Sequence, residues 1–257
     1  MLSYQHSYHA GSMADVHKHA ALAWVLDYLI QKPKPLSYIE THAGRGLYDL
    51  DSAEARKTAE ARAGILRAAA LLSAAHPYLR LQARVRTDHG ASAYAGSPLL
   101  AALALRPGDR IDLAELHPGE RAALVRAMHG TGATVHARDG FALARALTPP
   151  TPRRGVMLID PSYEIKTEFR TIPGQIAHLH RKWNVGVIML WYPLLARGAH
   201  RPMQAALDAL AVPGALHHEL SFPPARPGHG MTGSGLYVIN PPFGLRDALG
   251  ALSLQLG

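Results

Sequence analysis

The chain is predicted to fold as an α/β protein on one doubly wound, mixed sheet of seven strands. Three observations predict it. Short apolar runs alternate with segments whose apolar residues recur every three or four positions, as strands interleaved with helices require. The first four runs each end in acidic or glycine-containing turns, the place where open α/β sheets bind ligands. The last two runs are joined by a loop without helical periodicity, which predicts an antiparallel hairpin at the sheet edge.

Residues 12–31 come first: Asp15 is placed to cap a helix carrying Val16, Ala20, Trp24 and Leu29, and Pro33-Lys34-Pro35 ends it. Strands are expected at 36–40, 110–115, 133–137, 155–160, 185–191, 215–222 and 235–240. Helical spacing occupies 119–128, 141–147, 169–183, 201–210 and 245–254. Ser97-Pro98 has the form of a helix N-cap followed by proline at the first helical position. The stretch from 49 to about 94 is too long for a strand-to-helix connection and is rich in Ala, Leu and Arg. A small inserted helical subdomain is expected there, within a single domain spanning 1–257. Its Arg56, Lys57, Arg62, Arg67, Arg80, Arg84 and Arg86 outnumber its acids and form either a phosphate-facing surface or a solvated one.

With 48% hydrophobic and 18% charged residues over 257 positions, the chain can bury a full core. It has no cysteine, which excludes disulfides, thiolate metal sites and a cysteine nucleophile. Lys and Arg number 27 against 19 acids, a formal charge of +8, and 16 histidines can add to it near a polyanion. Such an excess attracts phosphate backbones. No apolar run is long enough to cross a bilayer and the N-terminus lacks the regions of a signal peptide, so a cytoplasmic protein without membrane contact is expected.

The first run ends in Glu40-Thr41-His42-Ala43-Gly44-Arg45-Gly46, whose glycines either let a ligand approach the backbone or simply make a tight turn. The second ends in Glu115-Leu116-His117-Pro118, an acid that can bond both hydroxyls of a ribose or compensate the following helix. After the third, Asp139 can accept from an adenine amine while Gly140 clears space for the ring, unless the pair is an Asx turn. The fourth ends in Asp160-Pro161-Ser162-Tyr163. An exocyclic amine is a poor nucleophile because its lone pair is delocalised into the ring; the Asp160 carboxylate and Pro161 carbonyl can be the two acceptors that hold its hydrogens, unless Asp-Pro-Ser is ordinary turn chemistry. Tyr163 offers a π-face for a base drawn out of its stack.

Four such endings in this order match a Rossmann-like class I fold that binds S-adenosylmethionine; a dinucleotide dehydrogenase would share only the first two. A second tetrapeptide, Asn240-Pro241-Pro242-Phe243, ends the last strand, whose antiparallel direction sends it to the opposite rim, so it is read as a structural turn. Trp24, Trp191 and Tyr192 are expected in the core. No metal is expected at His17 and His19, which lack cysteine or a dense carboxylate cluster nearby.

The chain resembles the RlmJ family of 23S ribosomal RNA adenine-N6 methyltransferases. The resemblance rests on Met1-Leu2-Ser3-Tyr4 with His6 and His9-Ala10-Gly11, Asp15-Val16-His17-Lys18-His19, Thr41-His42-Ala43-Gly44, Gly96-Ser97-Pro98-Leu99 and Glu115-Leu116-His117-Pro118. It continues through Asp139-Gly140-Phe141, Leu158-Ile159-Asp160-Pro161, Leu190-Trp191-Tyr192-Pro193, Gly230-Met231-Thr232 and Val238-Ile239-Asn240-Pro241-Pro242. It implies S-adenosyl-L-methionine as cofactor, held by Lys18, His19, His42, Ser97, Glu115, Asp139, Gly140 and Asp160. It implies Asp160 as the catalytic acceptor and Tyr4 as a contact to 23S ribosomal RNA, with His6, Pro161 and Tyr163 near the target base. Residues 4–9 and the glycine-rich loop 227–235 are placed to close over that base. The implied enzyme methylates N6 of a specific adenine as a monomer without an obligate protein partner; the alternative is a non-catalytic RNA-binding protein of the same fold. Ser162 stands where the family usually has proline, which leaves the acceptors intact and puts in question the stiffness of the turn holding Tyr163.

Overall fold

The computed structural model describes residues 6–224 and 230–256. Tyr4 and positions 227–229 of the glycine-rich loop lie outside the described residues. Among the described residues nine strands follow in order: β1 (Ser37–Glu40), β2 (Leu47–Asp49), β3 (Ala93–Ala95), β4 (Arg110–Ala114), β5 (Thr134–His136), β6 (Gly155–Ile159), β7 (Val187–Leu195), β8 (Leu216–Ser221) and β9 (Met231–Ile239). The helices are α1 (Met13–Ile30), α2 (Ala53–Thr58), α3 (Arg67–Leu71), α4 (Pro77–His89), α5 (Ser97–Ala104), α6 (Pro118–Ala127), α7 (Gly140–Leu147), α8 (Glu168–Lys182), α9 (Arg201–Asp208) and α10 (Leu245–Leu256).

Seven strands form the expected mixed sheet in the order β5-β4-β1-β6-β7-β9-β8, parallel up to β7, with β9 antiparallel to both β7 and β8. The central β1 and β6 are buried along their whole length, because helices cover both faces of the sheet; this is why they read as continuous apolar runs. One face packs on Val16, Leu22, Leu26, Leu100 and Leu249 from α1, α5 and α10. The other packs on Ile172, Ile176, Leu179 and Met203 from α8 and α9. The strand order reverses between β1 and β6, so a crevice opens at their carboxyl ends.

Local chemistry differs from the sequence reading at two helix starts. Ser12, not Asp15, caps α1, accepting from the Asp15 N–H at 3.3 Å, which leaves the Asp15 carboxylate for longer-range partners. Gly96 occupies the N-cap of α5, and Ser97 stands one residue inside with its hydroxyl turned toward Glu40. The short antiparallel pair β2–β3 was not foreseen, since three-residue strands are too brief to show periodicity. Between these strands lie α2, a π-helical turn (Arg62–Leu66), α3 and α4. This segment docks on the start of α1: Ile65 N–H donates to Gly11 O at 2.8 Å, and a Cβ on Gly64 would fall 1.9 Å from that same oxygen. Of its basic side chains, Arg56, Arg80 and Arg84 pair with Asp51, Asp27 and Asp88 at 3.3, 2.6 and 3.9 Å.

At the opposite rim, Asn240 adopts a left-handed φ of 53° and its amide donates to the carbonyls of Asn184 and Gly186, while Phe243 is 89% exposed. Asn240-Pro241-Pro242-Phe243 is therefore a turn remote from the crevice. Tyr192 is buried as expected, but Trp24 is only half-buried, stacked on Tyr28, and Trp191 faces the crevice. Both ring nitrogens of buried His17 are engaged, Nδ1 with Ser234 Oγ at 2.8 Å and Nε2 with His218 Nδ1 at 2.9 Å. Among the described residues no helix is long and apolar enough to cross a membrane.

Gly155 begins β6 against Ser37 of β1, and a Cβ there would sit 1.9 Å from the Ser37 carbonyl oxygen. Gly155→Ala is expected to destabilise the fold by about 1–3 kcal/mol through this backbone clash, measured by denaturant unfolding.

Candidate active site

The crevice encloses about 480 Å³ and is walled by the carboxyl ends of the parallel strands, the start of α1 and the loop after β6. Its floor is a buried charge cluster. Lys18, on the second turn of α1, donates from Nζ to Asp160 Oδ2 at 2.5 Å and lies 3.2 Å from Asp15 Oδ1 and 5.5 Å from the Trp191 ring centre. Burial alone would depress the lysine; Asp160 and Asp15 reverse this and hold the ammonium above its ordinary range. For Asp15, burial alone would raise the carboxyl, but His6 and Lys18 bring it well below the usual carboxylate range. The Asp15 and Asp160 carboxylates thus share the Lys18 ammonium at the base of the cleft.

Asp15 also gathers the N-terminal segment, accepting from Gly11 N–H at 3.0 Å and lying 2.8 Å from His6 Nε2. His6 in turn meets the Tyr48 ring edge-on at 5.3 Å. His19 sits beneath the cleft with Nδ1 2.8 Å from Tyr94 OH; burial pushes it to about 3, so it is neutral at pH 7. His42 lies 2.7 Å from Thr41 Oγ1 and edge-on to Phe141, and burial pushes it to about 4.

The turn after β1 needs glycine for its backbone conformation and for its packing against Tyr48. Gly44 has φ 64°, and a Cβ there would meet Tyr48 OH at 2.7 Å. Glu115 braces this turn from the end of β4, accepting from Gly44 N–H at 2.8 Å and His117 N–H at 2.7 Å, while burial pushes its carboxyl upward. Asp139 caps α7 by accepting from Ala142 N–H at 2.8 Å, so the turn role exists, and the same residue lines the cleft. Gly140 is required for a reason other than ring clearance: its Cβ would lie 2.0 Å from the Thr41 carbonyl oxygen, so glycine permits α7 to abut β1.

Ser97 Oγ and Tyr38 OH lie 2.5 and 2.8 Å from the two oxygens of Glu40, a fully buried carboxyl pushed by burial to about 8. Pro161 is buried at the cleft wall. Tyr163 adopts φ 56°, donates its hydroxyl to Trp191 O at 2.8 Å and stacks on Phe169 at 4.5 Å. This corrects the picture of an open π-face, since one face is occupied by Phe169. Beside Ser162, Tyr163 is engaged by its packing on Phe169 and by its hydroxyl bond to Trp191 O.

Thus Lys18, His19, His42, Ser97, Glu115, Asp139, Gly140, Asp160, Pro161, Tyr163 and His6 all line one cleft. Asp15 and Trp191 join them unforeseen, and Glu40 lies buried behind Ser97. Asp15 was recognisable from Asp-x-x-Lys-His, which puts three polar groups on one helical face; Trp191 had no local signal.

Residues 33–255 match the family described as "Ribosomal RNA large subunit methyltransferase D, RlmJ". The chain is 38% identical over 253 residues to Ribosomal RNA large subunit methyltransferase J of Escherichia coli (strain K12), covering 97% of this chain and 90% of that one. The Haemophilus influenzae protein of the same name is 38% identical over 254 residues, with the same coverage. The crystal structure of a protein from Legionella pneumophila str. Philadelphia 1 superposes with a TM-score of 0.85 at 34% identity, covering 96% of this chain and 94% of that one. A SAM-dependent methyltransferase from Agrobacterium tumefaciens, 11% identical, shares the fold with a TM-score of 0.51 over 88% of this chain and 62% of that one. The architecture is the Rossmann-like class I methyltransferase fold.

The Glu40 carboxyl makes stability depend on pH. The folded chain keeps its proton up to about 8, against 4.5 for an ordinary glutamate, so this stabilisation is complete below 4.5 and is lost as pH rises through 8. Glu40→Gln is expected to flatten the decline in unfolding free energy across that window, followed by urea unfolding at a series of pH values.

Proposed function

The chain belongs to the RlmJ family of ribosomal RNA large subunit methyltransferases, and from this premise we propose that it methylates N6 of a specific adenine in 23S ribosomal RNA, with S-adenosylmethionine as cofactor. The observation that carries this reading is the Asp160 carboxylate, clamped by Lys18 beside the Pro161 carbonyl at the end of β6. The cleft suits the cofactor: two carboxylates at its base can face a cationic ligand, and Glu115 stands where a ribose would be held. Lys18, His19, His42, Ser97, Glu115, Asp139, Gly140 and Asp160 would hold it. When bound, S-adenosylmethionine supplies an electrophilic methyl group on a sulfonium.

The chain's own residues prepare the amine. Lys18 takes Asp160 Oδ2 and leaves the other carboxylate oxygen to accept one amine hydrogen; the Pro161 carbonyl accepts the second. These fixed acceptors stabilise the positive charge that grows on N6, and holding the base in place removes much of the entropic barrier. The base must leave its stack to reach Asp160, and Tyr163 and Trp191 form the aromatic wall beside it. His6 closes the mouth from the N-terminal side, with Tyr4 assigned to the RNA by resemblance. The formal charge of +8 supports attraction to the RNA backbone. By the family resemblance we read the enzyme as a monomer without an obligate protein partner. The intact Lys18–Asp160 pair disfavours the alternative of an RNA binder that has lost catalysis.

Asp160→Ala is expected to lower methyl transfer by at least about 100-fold, with RNA affinity and folding retained because Lys18 keeps Asp15 as its counter-ion. Single-turnover methylation, RNA binding by fluorescence anisotropy and circular dichroism check this, and robust turnover by the variant overturns the mechanism. Mass spectrometry of 23S RNA from cells with and without the protein is expected to show one N6-methyladenine lost in its absence.

A further inference from the structure

The loop after Asp160 presents an apolar side chain that core packing does not require. Ile165 is 51% exposed and lines the mouth of the cleft, with exposed Glu164, Lys166 and Thr167 around it. Its position is braced on both sides. Two residues earlier Tyr163 is pinned by Phe169 and by its bond to Trp191 O. Three residues later the Glu168 N–H donates to the Ile165 carbonyl at 2.8 Å, where α8 begins. A β-branched side chain has few rotamers, so on this turn Ile165 is a stiff apolar knob.

An adenine whose amine reaches Asp160 leaves a gap in its own stack, and unstacking costs a few kcal/mol. Proteins that open nucleic-acid stacks offset such a cost by inserting an apolar side chain between the bases. Ile165 stands at the lip, five positions along the chain from Asp160. Lys166 and Arg170, both exposed on the same segment, are suited to the phosphates of the opened strand.

We propose that Ile165 is the wedge that enters the RNA stack as the target adenine turns into the cleft. This rests on the RNA-methylation reading above. The test compares wild type, Ile165→Ala and Ile165→Leu on two large-subunit RNA fragments: one with the target adenine paired in a stem, and the same fragment with the target already unstacked in a bulge. Steady-state methylation over a range of RNA concentrations gives kcat and KM. A third RNA with 2-aminopurine at the target position reports flipping by fluorescence, and calorimetry gives S-adenosylmethionine affinity.

Ile165→Ala is expected to lose about tenfold in kcat/KM on the stem RNA and to stay within about twofold of wild type on the bulged one. It is also expected to show a weaker 2-aminopurine signal with unchanged cofactor affinity, and Ile165→Leu to restore the stem activity. Equal losses on both RNAs would mean an ordinary pocket contact and overturn the wedge, as would wild-type rates on both. Absence of wild-type methylation on either RNA would instead overturn the RNA reading itself, and this inference with it.

Discussion

The site depends on one ammonium group held out of water between two carboxylates. Taking Lys18, Asp15 and Asp160 out of solvent carries a desolvation penalty of several kcal/mol per ion, recovered only if geometry is close and the remaining hydrogen-bonding capacity is met. Here Lys18 approaches Asp160 at 2.5 Å and Asp15 at 3.2 Å, and Asp15 is further met by Gly11 N–H and His6. The cluster therefore joins three parts of the chain: the N-terminal segment, α1 and the end of β6. Losing the lysine would leave two like charges facing each other, so the acceptor geometry at Asp160 and the closure of the N-terminal segment share one electrostatic origin.

A second polar network runs along the same helix without net charge. His17, pushed by burial to about 3, links Ser234 of β9 to His218 of β8, and Ser234 also accepts from the Trp191 indole. Helix α1 thus ties the cleft on one side and the edge hairpin on the other, and it buries Asp15, His17, Lys18 and His19 within five residues. An ordinary amphipathic helix puts such residues in water; this one uses them as its connections to neighbouring elements. Trp191, held by Ser234, by its carbonyl bond to Tyr163 and by its place over Lys18, is where the two networks meet.

Much of the fold was legible because strand and helix periods are local properties of the chain. The burial of β1 and β6 on both faces showed as unbroken apolar runs, and the loop between β8 and β9 showed the hairpin by lacking helical spacing. Direction along the sheet separated Asp160 from Asn240, although both tetrapeptides follow apolar runs. Caps were harder. Ser12 and Asp15 are equally good cap formers three residues apart, and what decided between them was that Asp15 had a buried lysine to serve.

The sequence by itself determined the alternation of strands and helices and the residues ending each strand, because these follow from period and position along one chain. Only the tertiary structure decided that Lys18, 142 positions away, meets Asp160, that Phe169 covers one face of Tyr163, and that Gly140 serves a backbone contact with Thr41. Such pairings join groups from different elements, and their strength comes from the exclusion of water once those elements pack. Spacing along the chain carries no record of that exclusion.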